Sequence, residues 1–195
     1  MAMAATERAY PVRLDIAYPE SLSRWLIFVK WLLAIPHLLI IYVLQLLVRV
    51  LTFLALFAIL FTRKYPRGLF DLAANAMRWN NNVNAYIFLM RDDYPPFTWE
   101  PGQYPVTYEV DYPAELNRWL PLVKWLLAVP HYIALIFLGL ASAVVILIAF
   151  FAILFTGKFP RGMFDFVVGV TRWSQRVTAY VILLTDEYPP FRLGP

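Results

Sequence analysis

The chain has 195 residues, 61% of them hydrophobic and only 15% charged, with 17% aromatics and a mean hydropathy of +0.59. Soluble domains are nearer half apolar and about a quarter charged, so this composition excludes a disordered chain and points to a membrane protein. It has no cysteine for a disulfide, thiolate metal site or cysteine nucleophile, its seven glycines form no nucleotide-binding loop, and a net charge of +4 suits lipid phosphates better than nucleic acid.

The first element is Val12–Ile16, where apolar residues alternate with Arg13 and Asp15 between prolines, the period-two pattern of a short strand. Trp25–Ala34 is apolar but holds Lys30, a Trp and Lys mixture typical of a membrane–water boundary. Pro36 fits the first turn of a new helix, where its missing N–H costs nothing. An apolar run of about 26 residues follows to Thr62, roughly 39 Å at helical rise and enough for a hydrocarbon core of about 30 Å. It ends in a basic turn, Arg63 to Gly68. The last element, Leu69–Met90, sets Leu69, Leu72, Ala73, Ala76, Trp79 and Val83 on one helical face, with Asp71, Asn75, Arg78 and Asn82 on the other. It is expected to lie in the membrane interface or to pack on the membrane helix with its polar stripe inward.

A shift of 94 positions then lays the chain on itself without a gap. Tyr10–Phe97 aligns with Tyr104–Phe191, and about half of the 88 pairs are identical. The organisation is therefore a tandem duplication: unit 1 over 10–97, a linker over 98–103, and unit 2 over 104–191. Repeats of this kind in membrane proteins often pack about a pseudo-two-fold axis. The fold class expected is an all-α integral membrane protein with a strand, a membrane helix and an amphipathic interfacial helix per unit. One crossing per unit would give the two copies opposite orientations, yet their basic flanks are nearly the same, against the positive-inside rule. A hairpin with its apex near Gln45–Arg49 and Gly139–Ser142 would keep all loops on one side. One long helix per unit is the favoured reading.

Phe-Thr-Gly-Lys-Phe-Pro-Arg-Gly, Thr-Arg-Trp and Leu-Thr-Asp-Glu-Tyr-Pro-Pro-Phe within 155–191, with their first-copy counterparts, resemble the bacterial domain-of-unknown-function family 4389. The first copy departs from the pattern at Arg63, where the second has Gly157, and at the asparagine run 80–82. The resemblance implies a bacterial membrane protein and brings no activity with it.

Several residues are singled out by recurrence or chemistry. His37 and His131 are matched imidazoles and weak metal candidates, more often satisfied structural histidines. Arg78 and Trp79, like Arg172 and Trp173, stand two turns after Asp71 and Asp165, so carboxylate and guanidinium share a face. Their plain role is a headgroup-level Trp anchor with Arg on lipid phosphate; the sharper one is a buried ion pair lining a cavity or docking a partner. Lys64 with Arg67, and Lys158 with Arg161, form basic turns suited to anionic headgroups. Arg49 is an intramembrane charge in the first copy only, replaced by Ala143 in the second. Asp92-Asp93 and Asp186-Glu187 read as solvated corners, and no catalytic constellation is present. The function expected is a non-catalytic accessory or scaffold subunit of the bacterial inner membrane, multi-pass and without cofactor. It would bind lipid headgroups and either other membrane subunits or copies of itself. The alternative is a small transporter or channel built from the repeats.

Overall fold

In the computed structural model, which describes residues 10–195, each unit contributes one strand, a short helix and two long helices. Unit 1 holds β1 (Val12–Ile16), α1 (Lys30–Leu33), α2 (Ile35–Thr62) and α3 (Arg67–Ile87). Unit 2 repeats them as β2 (Val106–Val110), α4 (Lys124–Leu127), α5 (Val129–Thr156) and α6 (Arg161–Val181).

Proline punctuates the helices as expected. Pro36 and Pro130 lie in the first turns of α2 and α5. The Leu33 and Leu127 carbonyls just before them each accept a hydrogen bond from a tyrosine, Tyr94 and Tyr188, both at 3.1 Å. The long helices end on a left-handed residue, Arg63 (φ 60°) in one copy and Gly157 (φ 71°) in the other. Their N–H groups close back on Ile59 and Ile153, the usual way to satisfy a terminal carbonyl. The departure of Arg63 from the repeat pattern thus falls at a turn position where glycine has a conformational advantage.

The favoured single long helix per unit forms: α2 runs without a break through Gln45–Arg49 and α5 through Gly139–Ser142, and neither folds into the alternative hairpin. Both are single helices of 28 residues, about 42 Å long and apolar enough to cross a membrane. Helices α3 and α6 do not lie as interfacial helices on the outside of the protein. Only Arg67 and Gly68 of α3, and Arg161, Gly162 and Asp165 of α6, are exposed. Asn75 and Arg78 of the α3 stripe meet each other and Arg78 reaches main-chain carbonyls inside, Asn82 is buried, and Asp71 stays half-exposed beside Arg67.

The expected strands form, but with a pairing no single unit could supply. β1 and β2 make a two-stranded antiparallel sheet, one strand from each copy, so the architecture is mostly helical but not all-α. The register runs from Val12↔Val110 to Ile16↔Val106 with Leu14↔Tyr108 at its centre, which is symmetric under the 94-residue shift. A pseudo-two-fold axis therefore passes through the Leu14–Tyr108 pair, perpendicular to the sheet. One face is buried through Val12, Leu14, Ile16, Val106 and Tyr108; the other exposes Arg13, Asp15, Thr107 and Glu109. The strands are also crossed: β1 packs on α6 and β2 on α3. Backbone bonds reinforce the exchange, from Leu22 N to the Gly157 carbonyl and from Leu116 N to the Arg63 carbonyl, both 2.8 Å. The opening segment of each copy is thus folded onto the other copy.

Candidate functional site

The sharper reading, an ion pair of Asp71 with Arg78 and of Asp165 with Arg172, does not form. Asp71 takes Arg67 one turn away at 3.2 Å, and Asp165 takes Arg161 at the same distance. Arg78 and Arg172 turn instead to the exchanged strands. Arg172 Nε donates to the Leu14 carbonyl (2.9 Å), with its terminal nitrogens on the Leu193 carbonyl (3.0 Å) and Asp15 (3.2 Å). Arg78 repeats this on the Tyr108 and Trp99 carbonyls at 3.3 and 3.1 Å. A guanidinium can serve two carbonyls at once because its donors are held in a fixed planar fork. These arginines are the clasps of the strand exchange.

Trp79 and Trp173 are not headgroup anchors: both are 7% exposed. Each indole N–H donates to a histidine Nδ1, Trp79 to His37 at 3.1 Å and Trp173 to His131 at 3.0 Å. The imidazoles are fully buried and stack on Phe97 and Phe191, with ring centroids 4.1 and 4.0 Å apart. This contact bears directly on the metal reading. An Nδ1 that accepts a hydrogen bond leaves the proton on Nε2. Freeing Nε2 for a metal would move the proton to Nδ1 and set two N–H groups against each other. The geometry therefore disfavours His37 and His131 as ligands, and among the described residues no cluster of three or more His, Cys, Asp or Glu could hold a metal.

Of the basic turns, Lys64 and Lys158 are exposed. Arg67 lies over the Tyr112 ring at 4.6 Å and Arg161 over Tyr18 at 4.5 Å, again from one copy to the other. Both remain about two-thirds open to solvent at the side chain, so an anion can still reach them. Arg49 is exposed on α2. The strongly exposed tryptophans are Trp25, Trp31, Trp119 and Trp125, at 62–79%.

Two features escaped the sequence. The first is a matched pair of buried lysines. Lys30, only 1% exposed, sits 2.7 Å from Asp92, donates to the Arg91 carbonyl (2.6 Å) and lies 5.0 Å from the Tyr86 ring. Lys124 does the same with Asp186 (2.8 Å), Thr185 (2.6 Å) and Tyr180 (4.8 Å). Burial pushes both ammonium groups below the ordinary lysine value, and the facing carboxylate pulls them back toward it. Asp92 and Asp186 are therefore not solvated corners. The recurrence of Lys and Asp at matched positions was visible, but their 62-residue separation hid the pairing. The second is Arg176, 2% exposed, which stands where unit 1 has Asn82.

No curated protein and no solved structure matches the chain. A family model does, twice, over residues 24–98 and 119–192. Both matches begin after the strands, so the family pattern holds the helices, the buried lysines and the His–Trp contacts but not the exchanged segments. With most of its length covered by two tandem copies, the chain belongs to the DUF4389 family, described as a domain of unknown function.

Proposed function

We propose that this is a non-catalytic bacterial membrane protein that binds lipid and serves as an accessory or scaffold subunit, with α2 and α5 lying along one leaflet instead of crossing it. The observation that carries the reading is an uncovered apolar surface. In the most apolar eighteen-residue stretch of α5 only 6% of the residues are buried, and 22% in that of α2. Ile133, Phe137, Leu140, Val144, Leu147, Phe151 and Phe155 are all exposed on α5, and Leu39, Tyr42, Val43, Leu46, Phe53 and Phe61 on α2. Moving each large side chain out of water is worth about 1.5–3 kcal/mol, so a patch of this size needs a lipid or protein covering.

The symmetry and the charge support the in-plane seating. The pseudo-two-fold lies either in the membrane plane or along its normal. In the first case the helices cross with opposite orientations, and the charged face of the sheet, with Arg13, Asp15, Glu109 and Asp111, sits at mid-depth. Each charge there costs about 2.5–3.5 kcal/mol on the insertion scale. In the second case that face points to water, the apolar helices point to lipid, and the two copies meet the membrane identically. Nearly identical basic flanks in the two copies are then what the positive-inside rule requires. The exposed tryptophans of both copies would also share one interfacial level.

The test is the sidedness of Lys64→Cys and Lys158→Cys, each placed singly and probed in sealed vesicles with an impermeant thiol reagent. In-plane seating predicts labelling of both from the same side; labelling from opposite sides overturns it in favour of crossing helices. The scaffold role predicts a particle well above 22.7 kDa after mild extraction. A monomer that conducts ions in liposomes would overturn that role in favour of a channel.

A further inference from the structure

The strongest unexplained group in the molecule is the Arg176 guanidinium. It is almost fully buried, yet among the described residues it has no carboxylate partner. Two of its nitrogens rest on main-chain carbonyls, of Arg192 at 3.4 Å and Gly194 at 2.9 Å. Nε is buried without a partner, and the planar group lies 5.6 Å from the Tyr10 ring. Carbonyls and a ring face offer partial charges only, so a full positive charge stays uncompensated. Burial and the neighbouring charges of Arg192 and Arg172 push its proton affinity below the ordinary arginine value.

Arg176 lines a cleft of about 620 Å³ between β1, α6 and the segment 192–195. That volume falls in the range of small-molecule sites. Four guanidiniums line it, from Arg13, Arg172, Arg176 and Arg192, against two side-chain carboxylates, Asp15 and Glu109, beside Pro195. Both carboxylates are already engaged, Asp15 by Arg172 at 3.2 Å and Glu109 by Arg13 at 3.3 Å. Among the described residues, Arg176 and Arg192 are therefore left without a side-chain carboxylate, one buried and one exposed. The walls are partly apolar, from Tyr10, Val12 and Leu14. Unit 1 has Asn82 and Thr98 in place of these two arginines, so the feature is particular to one end of the pseudo-symmetric molecule.

We infer that this cleft binds a phosphate monoester, with Arg176 and Arg192 holding the phosphate and the apolar wall covering its organic part. A monoester carries a charge of about −1.5 to −2 near neutral pH, which offsets two guanidiniums, whereas a single carboxylate or a phosphodiester offsets one. Arginine suits the role because its donors meet phosphate oxygens in pairs. Exposed outward-facing strand residues, Arg13, Asp15, Thr107 and Glu109, line the mouth, so a soluble ester can enter from water. The same chemistry is offered by the headgroup of phosphatidic acid. Entry from water rests on the in-plane seating proposed above, which the Lys64→Cys and Lys158→Cys labelling tests separately from binding.

The experiment uses the full chain in phosphatidylcholine nanodiscs, titrated with glycerol 3-phosphate, inorganic phosphate and acetate, and separately with phosphatidic acid added to the disc. Saturable one-to-one binding of glycerol 3-phosphate, seen by calorimetry and as a rise in Tm, is expected, weakened at least tenfold in both Arg192→Gln and Arg176→Gln. Arg118→Gln, exposed and outside the cleft lining, should bind as the native chain does. A response to phosphatidic acid with none to the soluble ester, lost in the same variants, keeps the site and assigns a lipid source. Arg176→Gln should also raise the Tm of the ligand-free protein, by removing an uncompensated charge, where a merely structural arginine would lower it. Arg192 is exposed, so Arg192→Gln keeps the test open should Arg176→Gln fail to fold. The inference is overturned if no phosphate compound saturates, if acetate binds equally well, or if Arg192→Gln leaves binding unchanged.

Discussion

Arg172, on the last helix of the second copy, donates 2.9 Å from Nε to the carbonyl of Leu14, the central residue of the first copy's strand. Arg78 does the same for Tyr108 at 3.3 Å. Each arginine therefore fastens a strand that belongs to the other copy. Hydrogen bonds to charged groups contribute about 1.5–3 kcal/mol each. Arg172→Ala and Arg78→Ala should each lower the unfolding free energy in detergent by about 2 kcal/mol or more. Arg172→Lys should recover little of it, since an ammonium cannot span the Leu14 and Leu193 carbonyls as the planar fork does. Denaturant melts followed by tryptophan fluorescence measure the change, and unaltered stability in both alanine variants would refute the clasp.

Tyr65 is fully buried and its hydroxyl has no partner, while the matching residue of the second copy is Phe159, buried to the same degree. An unsatisfied buried polar group costs about 1–3 kcal/mol. Tyr65→Phe should therefore raise stability at neutral pH by an amount in that range, read as an increase in Tm.

The same tyrosine sets a pH dependence. Burial raises the Tyr65 phenol above its ordinary value, as it does for Tyr10, Tyr104 and Tyr108. Above about pH 10 the unfolded chain releases these protons while the folded chain keeps them, so the unfolded state binds fewer protons and stability falls as pH rises. Each such group contributes a slope of about 1.4 kcal/mol per pH unit. Tyr65→Phe should remove one share of that slope between pH 10 and 11.5, measured by thermal melts across the range; an undiminished slope would contradict the assignment.

The His–Trp contact fixes a tautomer. With Trp79 and Trp173 donating to Nδ1, both His37 and His131 should carry their proton on Nε2. Imidazole ¹⁵N shifts of the protein in micelles read this directly. Trp79→Phe should change the His37 pattern and leave His131 as it was. Protonated Nδ1 in the native protein would show that the indole contact is not a hydrogen bond.

Arg63 holds a left-handed conformation that costs a non-glycine residue about 1–2 kcal/mol, and its exposed contact with Glu115 at 3.6 Å returns less. Arg63→Gly should stabilise the protein by about 1 kcal/mol, and Gly157→Ala should destabilise it by a similar amount. Chemical denaturation of the two variants side by side gives both signs.

The duplication, the strand segments, the prolines that start α2 and α5 and the apolar length of both helices were all legible in the residues. Each is set by local chemistry: a period of two, a fixed φ, or a run of side chains that all avoid water. What no window of the sequence could supply was partnership. Nothing local tells Val12–Ile16 to pair with the strand 94 residues on, or Arg78 to leave Asp71 for Tyr108, or Lys30 to find Asp92 beyond α3. Those choices are made by burial, because a charged or polar group taken out of water must meet whichever partner the packed fold brings within reach. For the same reason the sequence left open whether the polar stripes of α3 and α6 meet the membrane interface or the protein, and burial decides it. Only the folded protein, with both copies in place, supplies the carbonyls that their arginines bind.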